Sequence, residues 1–131
     1  MHVFRAARRA AREPLTRAVL RVILGDEVRH QRLGWAGLAA LVPSMDERLR
    51  GRLDVELASG FATCEQQNAR PALAWLKDKR PFDPAFAALG VLHPEARVEA
   101  FYTAVERLVI PRLAQLGFDG QRTWERRYRA R

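Results

Sequence analysis

The sequence predicts an all-α protein, and three observations point to that class. No segment alternates apolar and polar residues over the length of a strand, and no Asn-Gly or Asp-Gly pair lies between β-branched runs. Alanine, leucine and arginine, which favour helices, occur throughout the chain instead. Because the chain has 131 residues, we expect a single helical domain with one core.

A proline separates the first two predicted helices. Residues 1–12 form one short helix, which ends at Glu13 because a residue that precedes proline avoids the helical conformation. Pro14 suits the first turn of the next helix. The second helix is predicted to run from about Pro14 to Leu41.

The third predicted helix begins with a capping signal. Ser44 and Glu47 have the spacing of a capping box, in which each side chain binds a free backbone N–H of the first turn. The helix is predicted to run to about Ala69, ahead of Pro71. It carries Cys64 on its apolar stripe, so we expect this cysteine to be a small buried hydrophobic residue.

The C-terminal half divides into an irregular connection and a long helix. Residues 70–93 contain several prolines, and we expect short helical turns there, one of them opened by Asp83-Pro84. A last helix is predicted from Pro94 to Gly117, with a kink at Pro111 and a basic tail from residue 121 onward. The single domain therefore has three predicted parts, residues 1–69, 70–93 and 94–131.

The charge balance and the cysteine count limit the partners and the location. The chain has 23 Lys and Arg against 15 Asp and Glu, a net charge of +8 that attracts polyanions without specificity. No helix-turn-helix, zinc-finger spacing or RNP-like motif is present in the sequence, so specific nucleic-acid binding is not expected. No stretch approaches the roughly 18 apolar residues of a membrane span, and we expect no membrane insertion. The single cysteine fits a reducing cytoplasm.

The second helix contains the segment with the most chemical information, Asp26-Glu27-Val28-Arg29-His30. At about 100° per residue, Glu27 and His30 project from the middle of an apolar stripe. Burial of these groups without partners is costly, so they are satisfied by each other, by an ion pair or by a metal ion. A Glu and a His at i and i+3 can bind one ion, and a carboxylate with an imidazole suits iron, manganese or zinc. A core histidine and a structural ion pair are the alternatives.

The segment DEVRHQRLGWAGLAAL, residues 26–41, resembles the last metal-ligand helix of the ferritin-like di-iron carboxylate proteins. The resemblance covers about residues 14–41. It implies that Glu27 and His30 are metal ligands and that Asp26 orients a ligand histidine. It also implies close helix packing at Gly34 and a neighbour against Trp35. The fold it implies is an antiparallel helical bundle, partial ferritin-like, with a C-terminal helical extension, and the implied cofactor is Fe or Mn.

The chain departs from the family in one respect, because family sites take a Glu from each of two helices and a Glu-x-x-His from each of two others. This sequence has one Glu-x-x-His, so it is interpreted as beginning within the third bundle helix. The prediction is half of a site, completed in a homodimer or by another helical chain and used for iron oxidation or iron-dependent oxygen activation. The alternative is a non-catalytic interaction or structural protein with a degenerate metal motif. Glu56 and Glu65 border the third helix and are expected to be surface acids.

Overall fold

The computed structural model describes residues 2–129, and within that range it contains helices and connections but no strand. The all-α class is therefore confirmed, while the antiparallel, partial ferritin-like arrangement stays a prediction. Met1, Ala130 and Arg131 lie outside the described residues. The helices are α1 (His2–Ala10), α2 (Pro14–Leu41), α3 (Glu47–Asn68), α4 (Arg70–Lys77), α5 (Ala85–Ala88), α6 (Pro94–Ala104), α7 (Ile110–Gln115) and α8 (Gly120–Arg126).

The boundary between α1 and α2 lies where the sequence predicts it. Glu13 has an extended backbone and caps α2, and Pro14 occupies the first turn. The carboxylate of Glu13 accepts hydrogen bonds from the backbone N–H groups of Leu15 and Thr16. The bond from Thr16 and then the bond from Leu15 hold the pKa of Glu13 below its usual value. These bonds satisfy donors that every helix N-terminus leaves free.

The cap of α3 is Asp46, so the prediction of Ser44 as the capping residue is wrong. After α2 the chain continues as a 3₁₀ turn, Val42–Ser44, and the Ser44 hydroxyl donates to the Leu41 carbonyl at 2.8 Å. The chain becomes extended only at Met45. Asp46 is therefore the first residue placed to cap α3, and its carboxylate accepts from the Leu49 N–H at 2.7 Å.

The connection between α3 and α6 is more helical than the sequence predicts. Pro71 does not end helical structure but occupies the first turn of α4, where its missing N–H has no helical partner to lose. The predicted turn at Asp83-Pro84 is present, because the Asp83 carboxylate accepts from the Ala85 N–H at 2.8 Å and α5 follows.

The last predicted helix is interrupted at its proline. Between α6 and α7, residues Val105–Val109 form a π-helical turn. Pro111 cannot donate a backbone hydrogen bond and its ring crowds the preceding turn, and a π turn accommodates both effects. The helix ends ahead of Gly117, which has φ of +79° and adopts the left-handed conformation that glycine tolerates.

The core lies among α3, α6, α7 and α8 and not under α2. Its buried residues are Val42, Phe61, Ala69, Phe101, Val105, Leu113, Phe118 and Trp124. From α2, only the half-buried Trp35 and Leu38 pack against this cluster. The predicted basic tail is part of the core, because α8 packs closely on the preceding helix. A Cβ at Gly120 would lie 2.8 Å from the Ile110 carbonyl oxygen, which explains the glycine.

Candidate functional site

Helix α2 has one covered side and one open side. Leu24 is buried on the covered side, next to α1. Leu15, Val19, Val22 and Leu33 are exposed on the other side, with Leu33 at 73% of its full accessible area. We call this second side the open face. Apolar residues at this exposure contribute little to folding of one chain, so the open face is a candidate contact surface.

Of the two predicted metal ligands, His30 lies at the edge of the open face, whereas Glu27 lies nearer the covered side, about 60° around the helix from Leu24. Glu27 is half-buried and His30 is exposed, one turn apart on α2. The expectation that both side chains are buried in the apolar stripe is therefore wrong for His30. The reason is that the core of the chain reaches α2 at Trp35 and Leu38 and not at His30. The imidazole of His30 is free to meet a group from outside this chain.

Asp26 makes a local ion pair. Its carboxylate accepts from the Arg29 guanidinium at 2.9 Å, and both side chains are exposed. An exposed pair one turn apart contributes little to stability, on the order of a few tenths of a kcal/mol. The predicted role of Asp26, to orient a ligand histidine, stays a prediction.

Within one chain, the described residues do not supply enough donor side chains to bind a metal ion. In residues 2–129, no three His, Cys, Asp or Glu side chains come together as a group that could hold one. Glu27 and His30 therefore supply two donors, one oxygen and one nitrogen. A carboxylate-rich iron or manganese site takes donors from several helices, so this pair is half of such a donor set.

A groove of about 460 Å³ separates α2 from α3 near this pair. Gly34 lines it from α2 and Glu56 and Cys64 line it from α3. Cys64 is exposed, so the prediction that it is buried is wrong, because α2 does not close over this part of α3. No heavy atom lies within 4 Å of a Cβ built on Gly34, so the close packing expected there is not made within one chain. Trp35 does have its expected neighbour, since it packs on the core.

The most enclosed charged group of the described residues is one that the sequence pattern does not reveal. Glu65 was expected at the surface, and that prediction is wrong, because only 2% of the residue is exposed. Its carboxylate accepts from the Tyr102 hydroxyl at 2.8 Å, from Arg127 at 3.2 Å and from Arg70 at 3.4 Å. The signal that could have found it is the arginine- and aromatic-rich tail, which supplies both a counter-ion and a cover.

The partners of Glu65 determine its ionisation. Burial raises the pKa of this carboxyl, but the hydrogen bonds from Arg127 and Tyr102 and the nearby arginine charges outweigh it, so the pKa is lowered. Burial and the bond to Glu65 raise the pKa of Tyr102 to about 12. The Cζ atom of Arg127 lies 3.5 Å from the centroid of the Trp124 ring and 3.9 Å from the centroid of the Tyr128 ring. Because the cluster is enclosed and paired, we interpret it as structural, joining the end of α8 to α3 and α6.

Comparisons with known proteins leave the site to be interpreted from its own residues. No protein-family model, no curated protein and no solved structure matches this chain. Among the helices of residues 2–129, none combines the length and the apolar character needed to cross a membrane.

Proposed function

We propose that this chain is a partial ferritin-like helical protein that provides half of a carboxylate-histidine metal site, completed by a second helical chain. The observation that carries the proposal is the position of Glu27 and His30 on adjacent turns of α2, with the exposed His30 at the edge of a face that the chain leaves open. A carboxylate oxygen and an imidazole nitrogen suit both iron and manganese. Iron is the metal of the proposal, and manganese is the alternative. The proposal includes a cytoplasmic location, which suits a free thiol at Cys64.

The residues of this chain have defined tasks in the proposed site. Glu27 presents a carboxylate oxygen and His30 presents an imidazole nitrogen, and helix α2 fixes their spacing. When iron is bound, it supplies the redox chemistry of iron oxidation or oxygen activation. The protein contributes the positions of its donors and, once a partner covers the open face, the exclusion of water.

The requirement for a partner follows from two separate features. Two donors do not complete the coordination of iron or manganese, so further ligands come from another chain. The exposed leucines and valines of the open face also need a cover. A homodimer meets both requirements, because a second copy brings a second Glu27 and His30 together with a second apolar face.

Metal stoichiometry tests the proposal. We expect the purified chain, loaded anaerobically with Fe(II) and separately with Mn(II), to retain metal after desalting, and the Glu27→Ala/His30→Ala variant to lose it. His93→Ala/Glu95→Ala is the matched control, because His93 and Glu95 form another exposed His–Glu pair, with 3.9 Å between Nδ1 and Oε2, away from α2. Metal that survives the first variant, or its absence from the parent, contradicts the proposal.

A non-catalytic helical interaction protein is the second candidate function. The observation that favours it is the open face itself, which needs a partner whether or not a metal binds. In this case Glu27 and His30 form a polar contact within an interface. Association that persists in Glu27→Ala/His30→Ala, together with no retained metal in the parent, selects this function over the first.

A further inference from the structure

The open face carries a regular pattern along the whole of α2. Exposed residues recur at alternating intervals of four and three positions from Leu15 to Ala40, the spacing of the contact positions of a coiled coil. The apolar members of the pattern are Leu15, Val19, Val22, Leu33, Ala36 and Ala40. Asp26 and Arg29 occupy the two remaining positions, at its centre. All of these residues are exposed, so the pattern is not used for packing within this chain.

This pattern of residues is complementary to the same pattern on a second, antiparallel copy of α2. When a second α2 is placed antiparallel so that the numbers of opposed residues add to 55, Asp26 opposes Arg29 of the copy. Val22 then opposes Leu33. The large side chains of the N-terminal half oppose the alanines of the C-terminal half, since Leu15 meets Ala40 and Val19 meets Ala36. Large residues against small ones allow two helices to approach closely.

The charged pair selects this register over its neighbours. A parallel arrangement places Asp26 against Asp26 and Arg29 against Arg29, which is repulsive. A shift of the antiparallel pair by one heptad places Asp26 against Val22 or Ala36, and that leaves a covered charge without a partner. In the register that adds to 55, each Asp26 keeps its own Arg29, at 2.9 Å, and gains the Arg29 of the copy.

We propose that a second copy of this chain covers the open face, with the two α2 helices antiparallel and the two-fold axis between residues 27 and 28. This inference names the partner that the proposed function requires and in that respect rests on it. The two-fold axis relates each flank of α2 to the same flank of the copy. The two His30 side chains therefore lie on one flank of the dimer, each about 4 Å along the helix axis from its centre, whereas each Glu27 is on the same flank but about 130° around its helix from the contact line and points away from the copy.

Cross-linking tests the register in metal-free protein. In a Cys64→Ser background, we expect an oxidised equimolar mixture of Val22→Cys and Leu33→Cys chains to form a disulfide-linked heterodimer. Neither variant alone should cross-link, because residue 22 of one chain lies about 16 Å along the axis from residue 22 of its copy. Cross-linking of either variant with itself shows a parallel pair or another register and overturns the inference.

Charge reversal tests the central pair by sedimentation equilibrium in EDTA. We expect the parent to be a dimer, and Asp26→Arg or Arg29→Asp alone to weaken dimerisation by about tenfold or more through like-charge contacts. A mixture of the two variants should form a heterodimer, because both contacts of the central pair between the chains then join opposite charges. Glu95→Arg, on α6 and exposed, is the control and should dimerise like the parent. A monomeric parent, or a mixture that stays dissociated, overturns the inference.

The proposed metal site and the proposed pairing of α2 can be disproved independently. If the dimer forms in the predicted register but the loaded protein retains no metal, the metal proposal fails and the pairing of α2 stands. If metal is retained by a dimer that Asp26→Arg leaves intact, the pairing is wrong and the metal proposal stands, whereas metal retained by a monomer contradicts both. Circular dichroism of each variant checks that its helices are formed.

Discussion

Charged groups differ in burial and in hydrogen-bond partners between helix α2 and the core among α3, α6, α7 and α8. In the core, Glu65 is buried and accepts hydrogen bonds from four side chains outside α3, those of Arg70, Tyr102, Arg127 and Tyr128. On α2, Glu27 is half-buried and His30 is exposed. A charged cluster whose charges are paired within its own chain indicates a structural role, whereas an incomplete set of donors on a helix with an uncovered apolar face indicates a partner.

The same contrast holds for leucine. Leu113 of the core is 1% exposed, whereas Leu33 of α2 is 73% exposed. Burial of a leucine side chain stabilises a fold by about 2 kcal/mol, so the stability of one chain depends on the core and much less on the open face. The two regions therefore predict different consequences for the same type of substitution.

Substitution of Glu65, the buried carboxylate of the core, should lower the free energy of unfolding more than any other change considered. Glu65→Ala removes the shared acceptor of Tyr102 and Arg127 and leaves a buried guanidinium without its counter-ion. We expect the free energy of unfolding in urea to fall by about 4 kcal/mol. The matched control is Glu56→Ala, at an exposed position of α3, with a change of about 0.5 kcal/mol or less. Equal losses in the two variants would mean that the enclosure of Glu65 contributes no stability.

The leucine comparison is the next largest effect. Leu113→Ala should lower the free energy of unfolding by about 3 kcal/mol, because it leaves a cavity in the core. Leu33→Ala should change it by about 0.5 kcal/mol or less in dilute, monomeric protein. If the open face pairs with a second copy, the effect of Leu33→Ala grows with protein concentration, since dimerisation stabilises the folded state by mass action. An effect of Leu33→Ala as large as that of Leu113→Ala in monomeric protein would contradict the comparison.

The pH dependence of stability tests the charged cluster of the core. The pKa of Glu65 is lowered in the folded chain from an ordinary 4.5, so its contribution is present above about pH 4.5 and is lost as the pH falls through the folded value. The pKa of Tyr102 is raised from 10.0 to about 12, so its contribution is present below pH 10 and is lost as the pH rises toward 12. Urea unfolding across pH should show both losses, with a flatter acid limb in Glu65→Gln and a flatter alkaline limb in Tyr102→Phe. An unchanged acid limb in Glu65→Gln would assign that loss to other carboxylates.

The sequence predicts the helices well because their signals are local. The break before Pro14 and the end at Gly117 each depend on the backbone limits of one or two residues. The cap of α3 was misplaced because Ser44 belongs to a 3₁₀ turn, and the spacing of a capping box does not reveal that the preceding helix continues.

The candidate site could be predicted only in part. The spacing of Glu27 and His30 is visible in the sequence, but a helical wheel cannot say which of two apolar sides of α2 the chain covers. The sequence does not reveal the burial of Glu65, because the two partners that enclose it are remote in sequence, Tyr102 by 37 residues and Arg127 by 62. Long-range packing determines both outcomes, and no local pattern of residues contains it.

The capping residues of α3 and α2 should have the smallest effects on stability. The Asp46 carboxylate accepts from the Leu49 N–H at 2.7 Å, so Asp46→Ala should lower the free energy of unfolding by about 1 kcal/mol, because α3 unfolds with the core. Glu13→Ala removes the corresponding bonds of α2. It should speed amide hydrogen exchange in the first turn of α2 and leave global unfolding unchanged. Matching losses of global stability would instead place α2 in the same cooperative unit as the core, and its open face would then belong to a helix as firmly held as α3.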